Sequence, residues 1–374
     1  MELEKLKYLY YLTKIKHLGN IRIKKIVDYY KDPQVVFQLS KTQLNKIEGI
    51  EDKTSEIIIN SKKNFDEFER DFESLLENVH RKNIKIVNLF SDNYPENLKK
   101  IYDAPVILYY IGELLSDDKY AISIVGTRTP TIYGKSVSER LVEELCNLGI
   151  VTISGMAKGI DALVHYNTLK TGGRTYAVLG NGVDIIYPPE NRNIYELIKE
   201  RGVIISDFEP GLKPERVNFP KRNRIVSGLG LGTLIIETAI KGGSMITAEF
   251  ALDQNKEIFA VPGNINSKKS EGNNDLIKKG TAKLVTCIDD ILNELSYVLK
   301  PLLKKEAKEN EQQIIAELDI FERKIYDVLT YEPIHIDKIN EITELSISDC
   351  LVTLLSLEFK NLIKQLPGKF FVKM

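Results

Sequence analysis

Cysteine is scarce: Cys146, Cys287 and Cys350 are the only three in 374 residues, and they lie far apart with no Cys-x-x-Cys pair. That spacing excludes a sequence-local zinc or redox motif, and the thiols read as reduced apolar fillers. Long apolar runs are also missing. None approaches the roughly 18 residues that a membrane-spanning helix requires, so no membrane partner is expected. The opening MELEKLKYLYYLTKIK mixes charges into its apolar positions and lacks a small-residue cleavage site, which argues against a secretion signal and for a cytoplasmic chain. Excess charge of one sign is absent as well, the formal net charge being -1. Any anion site must therefore arise from local segregation of charge. Such segregation exists: residues 1–46 hold ten Lys and Arg against four Asp and Glu, residues 47–80 reverse that balance, and Lys213 to Arg224 is basic again.

Several chemical motifs are missing too. The chain has no HExxH, no nucleophile elbow, no metal-spaced His/Asp cluster and no paired carboxylates at the ends of its β-like runs. It has neither the GxGxxG dinucleotide fingerprint nor the GxxxxGK[ST] phosphate loop. No cofactor, no metal and no catalytic residue are expected.

The length accommodates two or three domains. Residues 1–80 carry apolar positions at helical spacing (Leu9, Leu12, Ile15; Ile23, Ile26, Val27, Tyr30), broken by two similar corners, HLGNIRIKKI and IEGIEDKTSEI. A small module of the helix-hairpin-helix or SAM type fits, its corners serving either to offer amides to a phosphate or simply to pack helices around glycine caps. From residue 82 the period changes. The runs IKIV, AISIVG, IVTISG, TYAVLG, VIISD, TLIIE, EIFAVP and KLVTC alternate with helical stretches, which implies an α/β core over 82–298 built on a doubly wound, mainly parallel sheet. Residues 299–313 read as a linker and 314–374 as a winged helix, two helical patterns followed by a hairpin at Pro367 and Gly368.

In a doubly wound sheet, ligands sit beyond the carboxyl ends of the strands. The first such loop, IVGTRTPTIYG, combines Gly126, Thr127 and Arg128 in a composition suited to cradling phosphate. The second, SGMAKGID, offers Ser154, Gly155, Lys158 and Gly159 as an amide nest with one charge. Asp161 in its first helical turn fits a capping role, and His165 one turn on fits a packed, hydrogen-bonded residue. NFPKRNRIVSGLG places Lys221, Arg222, Asn223 and Arg224 at the edge of an apolar segment, so that packing holds them. Arginine forks suit phosphates. A last glycine-rich loop, KGGSMITAEF, supplies Ser244 and Thr247 at a helix start.

Taken in order, IVGTRTPTIYG, ISGMAKGIDALVH, GGRTYAVLGNGVDIIYPPENRNIY, FPKRNRIVSGLG, GGSMITAEFALDQNKEIFAVPG and GNNDLIKKGTAKLV resemble the signature of the DNA-processing protein A (DprA/Smf) family. The resemblance implies an extended Rossmann-type, non-enzymatic core that binds and protects single-stranded DNA, forms a homodimer and helps to load the RecA recombinase in natural transformation. It implies that Arg128, Ser154, Gly155, Lys158, Lys221, Arg222 and Arg224 line the DNA pocket, and that the dimer forms around Asn274, Leu276 and Ile277. Lys158 stands where the family usually has Arg, which keeps the charge. GLGLGTLIIETA also resembles the GGxGTxxE motif of nucleotide phosphoribohydrolases and makes Glu237 a candidate acid, although the companion glycine-rich loop of those enzymes is replaced by SGMAKGID. A module acting through protein partners alone is a third reading. The helix expected to read DNA in the winged helix, Ser346 to Phe359, has no Lys, Arg, Asn or Gln, so this domain is expected to add little DNA affinity.

Overall fold

A computed structural model describes residues 2–302, 315 and 317–374. The chain forms two compact units, Met1–Tyr297 and Val298–Met374. Most of the expected linker, from residue 303 onward, lies outside the described residues.

The first unit opens with α1 (Glu2–Lys14), α2 (Gly19–Tyr30), α3 (Lys41–Leu44), α4 (Asp52–Ser61) and α5 (Phe65–Arg81). The helical spacing of α5 puts Phe68, Phe72, Leu75 and Val79 on one buried face. Gly19 and Gly49, at φ +66° and +84°, turn the two corners. The change of period near residue 81 is not a break in packing. The same hydrophobic cluster holds Leu9, Leu12, Ile23 and Phe72 of these helices and Ile107, Tyr109, Leu179 and Val183 of the core.

The core is a nine-stranded sheet, ordered β1-β2-β6-β5-β4-β3-β7-β8-β9. Its strands are β1 (Lys85–Asn88), β2 (Ile107–Gly112), β3 (Ala121–Val125), β4 (Val151–Ser154), β5 (Thr175–Val178), β6 (Val203–Ser206), β7 (Gly232–Ile235), β8 (Glu257–Ala260) and β9 (Lys283–Leu284). From β6 through β9 all neighbours pair in parallel, while β2 runs antiparallel to both β6 and β1. The doubly wound, mainly parallel α/β class is thus the fold. Its one strand without a sequence counterpart above is β2. Five of its six residues are buried, with Ile107 and Tyr109 joining the cluster under the N-terminal helices and Leu108 and Tyr110 the opposite one. Such two-sided burial erases the polar alternation that marks a strand in sequence.

The helices of the core are α6 (Glu96–Lys99), α7 (Ile132–Asn147), α8 (Ile160–Lys170), α9 (Arg192–Arg201), α10 (Asn218–Leu229), α11 (Gly243–Asp253), α12 (Glu271–Lys278) and α13 (Asp289–Glu294). The strands fill leftward from β3 to β6 and then rightward from β7, so the topological switch point falls between β3 and β7. Ile122, Ile124, Leu234 and Ile235 in these two strands are fully buried, each worth about 1.5–3 kcal/mol, and this anchors the loops above them.

The second unit is a winged helix: α14 (Ile320–Val328), β10 (Ile334–His335), α15 (Ile336–Thr343), α16 (Ile347–Phe359), β11 (Ile363–Leu366) and β12 (Phe370–Lys373). Glu322 ties α14 to α16 by accepting from Ser356 Oγ and Lys360 Nζ, both at 2.7 Å. Along α16, Ile347, Leu351, Val352, Leu355 and Phe359 remain exposed, an apolar face on the helix that in other winged helices reads bases. Among the described residues no helix is long and apolar enough to cross a membrane.

Candidate nucleic-acid interface

The chain leaves β3 through Gly126, where a Cβ would stand 2.6 Å from Ile160 Cγ1. Thr127 N donates to the Glu237 carbonyl at 2.7 Å and Thr127 O accepts from Ile160 N at 3.1 Å, so the first loop is held by both β7 and α8. Gly159 makes this approach possible: at φ +83°, its missing Cβ would meet Thr127 O at 2.4 Å and the Arg128 carbonyl carbon at 2.5 Å. Arg128, one residue beyond the anchored Thr127, is exposed. Its guanidinium makes no hydrogen bond or ion pair with any described residue, yet it lies near enough to Arg222 to lower that residue's pKa.

In the second loop, Ser154 is fully buried and its hydroxyl donates to Ile124 O at 2.7 Å. Asp161 accepts from the amides of Gly155 (3.2 Å) and Ala157 (3.3 Å), the helix-start role its position suggested. Burial raises its carboxyl above the usual range, and the Arg222 charge and these amides pull the other way. Lys158 is exposed, and its ammonium meets the exposed carboxylate of Glu190. An exposed pair of this kind is worth about 0–1 kcal/mol, so it yields readily to a phosphate.

The basic run lies on α10, whose turn points successive residues in different directions. Lys221 is exposed and bears no hydrogen bond or ion pair among the described residues. Arg222 is 4% exposed and donates inward to Gly155 O at 2.7 Å and to Val178 O. Burial pulls its pKa down to about 10, against the field of Asp161. Arg222 and Asp161 close over Gly155, where a Cβ would meet them at 2.6 and 2.7 Å. Arg224 is 8% exposed, pairing with Asp207 at 2.6 Å and donating to Asp103 O. Asn223 is half-buried against Gly243 O at 3.4 Å. Ser244 and Thr247 are buried, Ser244 donating to Thr238 Oγ1 at 2.7 Å. The structure therefore brings Arg128, Lys158 and Lys221 to the surface. It turns Arg222, Arg224, Ser154, Ser244 and Thr247 inward as supports.

Other supports lie outside the expected DNA pocket, and of these Asn273 and Lys256 carried no sequence signal. Glu237, buried at the end of β7, accepts from Thr131 N at 2.9 Å and Thr131 Oγ1 at 2.5 Å, while Thr131 Oγ1 caps α7 by accepting from Gly134 N. The protein's own carboxylate thus occupies the helix N-terminus at the switch point, where Rossmann proteins hold a ligand phosphate. Asn273, fully buried, donates to Ile235 O and Val261 O and so clamps the ends of β7 and β8. Lys256 donates to three carbonyls at the end of α10, those of Ser227, Gly228 and Gly230, and burial lowers its pKa to about 7. On α12, Leu276 is a core residue, and Asn274 holds Gly263 through paired bonds of 3.0 and 3.1 Å. Ile277 is half-buried.

A doubly wound sheet with its switch-point helix terminus already filled, and with exposed cations on rigid loops beside it, defines a Rossmann-type protein with a cationic rim at the ends of its strands. The family model for DNA recombination-mediator protein A matches residues 85–296, and that for the DprA winged helix domain matches 309–369. Protein Smf of Synechocystis sp. is 31% identical over 391 residues, spanning 95% of this chain and 96% of its own. The X-ray structure of DNA processing protein A from Streptococcus pneumoniae superposes with TM-score 0.66 at 32% identity, covering 77% of this chain and 97% of that one. DNA processing protein A from Helicobacter pylori, solved for its single-stranded DNA binding mode, superposes with TM-score 0.51 at 30% identity, covering 57% and 96%. The chain belongs to the DNA recombination-mediator protein A family, DprA/Smf.

Proposed function

We propose that this protein binds single-stranded DNA across the strand-end loops of its core, protects it, and helps to load a RecA recombinase during natural transformation, without chemistry of its own. The observation that carries the reading is the state of Arg128: an exposed guanidinium, unpaired among the described residues, on a loop anchored from both sides, beside the buried charge of Arg222. Lys158 and Lys221 extend the positive edge, and cations on a fixed rim suit a phosphate chain. The loops offer no helix shaped for a major groove, which favours a single strand over a duplex. Engagement of both Glu237 oxygens by Thr131 speaks against a nucleoside-phosphate hydrolase that would use this carboxyl as its acid. The family also suggests a cytoplasmic homodimer around Asn274, Leu276 and Ile277; the half-buried Ile277 and the 43% exposed Leu284 on edge strand β9 are the groups a partner subunit would cover. The test is single-strand against duplex binding across a salt series, with a nucleoside-monophosphate hydrolysis blank and light scattering. Equal affinity for the two DNAs would overturn the reading.

A further inference from the structure

A cleft of about 720 Å³ lies between the first helical corner and the core, bordered by the start of the loop after β6 but by none of the loop residues after β3 and β4. Arg22 and Lys25 of α2 form one wall and Lys221 and Arg224 of α10 the other, over Phe208 and Phe250. Tyr102 lines this cleft and also a neighbouring hollow that continues to Lys24 and Lys100.

The charges in the cleft do not cancel. Arg224 is spent on Asp103 and Asp207. Among the described residues Arg22 donates only to neutral carbonyls, those of His17 and Gly49, and finds no counter-charge for its exposed guanidinium. Lys221 and Lys24 have no hydrogen bond or ion pair among the described residues. Lys25 meets Glu48 at 3.3 Å, and Glu48 is 91% exposed, so the pair contributes little. The remaining acids, Asp28 and Asp253, line the farther hollow. The first turn of α2 contains no acidic residue and no side-chain cap, which leaves its N–H groups and helix dipole to add to the positive field. Tyr102, 73% exposed and without an aromatic or hydrogen-bonding partner among the described residues, presents a large ring on the lining that these cations share. Cations alternating with a free aromatic face are what a single-stranded nucleic acid needs: phosphate contacts and a stacking platform.

We infer that the cleft is a second station for single-stranded DNA, taking the strand as it leaves the loops past Lys221, with phosphates against Arg22, Lys24 and Lys221 and a base stacked on Tyr102. This rests on the single-strand reading of the loops, because Lys221 belongs to both places. The N-terminal helices then extend the DNA path as well as packing the core.

The experiment uses the full chain, Tyr102→Ala, Arg22→Gln combined with Lys24→Gln, and Arg128→Ala, against oligo(dT) of about 6 and about 16 nucleotides, the span of one such site. A strand carrying 2-aminopurine reports stacking. The cleft variants are expected to weaken the longer strand about tenfold, the stacking of one base, and to leave the shorter one within about twofold. Tyr102→Ala should also abolish the 2-aminopurine quenching, and the melting temperature of all variants should stay that of the parent. Arg128→Ala should weaken both lengths. Unchanged long-strand binding in the cleft variants, with Arg128→Ala still weakening both, overturns the second station and leaves the loop reading standing. No effect of Arg128→Ala on either length overturns the loop reading itself. Loss of duplex rather than single-strand binding in the cleft variants also overturns the second station.

Discussion

The guanidinium of Arg222 donates to the carbonyl of Gly155 at 2.7 Å, and through this bond the helix that displays Lys221 is fixed to the loop that displays Lys158. Two neighbours on one helix thus do different work, one facing solvent and the other holding the rim together.

That division makes the two arginines separable. Arg222→Ala leaves Gly155 O, Val178 O and the buried Asp161 without their cation, and should cost about 3 kcal/mol or more in urea unfolding. Arg128→Ala should leave stability unchanged while lowering the slope of log affinity against log salt by roughly 0.7, the single-strand value for one contact. An Arg222→Ala protein as stable as the parent would contradict the strap role.

The buried His165 makes the core acid-sensitive. Its Nδ1 meets Thr175 Oγ1 at 2.8 Å, and burial, with Arg222 nearby, drives its pKa down from 6.5 to about 3. The folded protein keeps the ring neutral while the unfolded chain takes up a proton below pH 6.5. Stability is therefore complete above pH 6.5 and falls by about 1.4 kcal/mol per pH unit toward pH 3. Asp161 and Asp207, both raised by burial, oppose this with their own contribution, which is lost as pH rises. The informative quantity is the difference between the parent and His165→Gln: the variant should show a flatter profile between pH 6.5 and 4.5, and parallel profiles would refute the assignment.

Glu237→Ala should free the amide and hydroxyl of Thr131 at the start of α7. We expect a loss of about 1–2 kcal/mol in stability, the value of a helix cap, together with newly measurable binding of inorganic phosphate by calorimetry. Nucleoside-monophosphate hydrolysis by the parent protein that disappears in this variant would instead support the hydrolase.

Truncation after Tyr297 should keep single-strand affinity within about threefold, under 1 kcal/mol. The helix α16 has no Lys, Arg, Asn or Gln and exposes Ile347, Leu351, Leu355 and Phe359, a surface that gives phosphates no cation. A loss above about tenfold on the same scale would assign the wing or its approach to the DNA site.

Much of the architecture was readable from period alone, since β-branched runs alternating with helical stretches mark β1 and β3 to β9. Strand β2 was not, because both of its faces are covered. The cations of the site were visible as a run, but their directions were not: Lys221, Arg222 and Arg224 fan around a helix, and only the neighbours Gly155, Asp103 and Asp207, distant in sequence, determine which of them turn inward. Glu237 was visible in its motif only as a candidate acid, and Asn273 and Lys256 gave no local cue, because each acts on groups that only the folded sheet brings within reach.

The carboxylate of Glu237 at the first turn of α7 has a bearing on competition inside a cell. Metabolite pools are rich in nucleotides whose phosphates seek the amino ends of Rossmann helices. Here that berth carries a negative charge of the protein's own, which repels a small phosphate ester before it can settle. On the proposed reading, a polymer that reached the surface cations at several points at once would not depend on that berth, so its occupancy would be insulated from the level of free nucleotides.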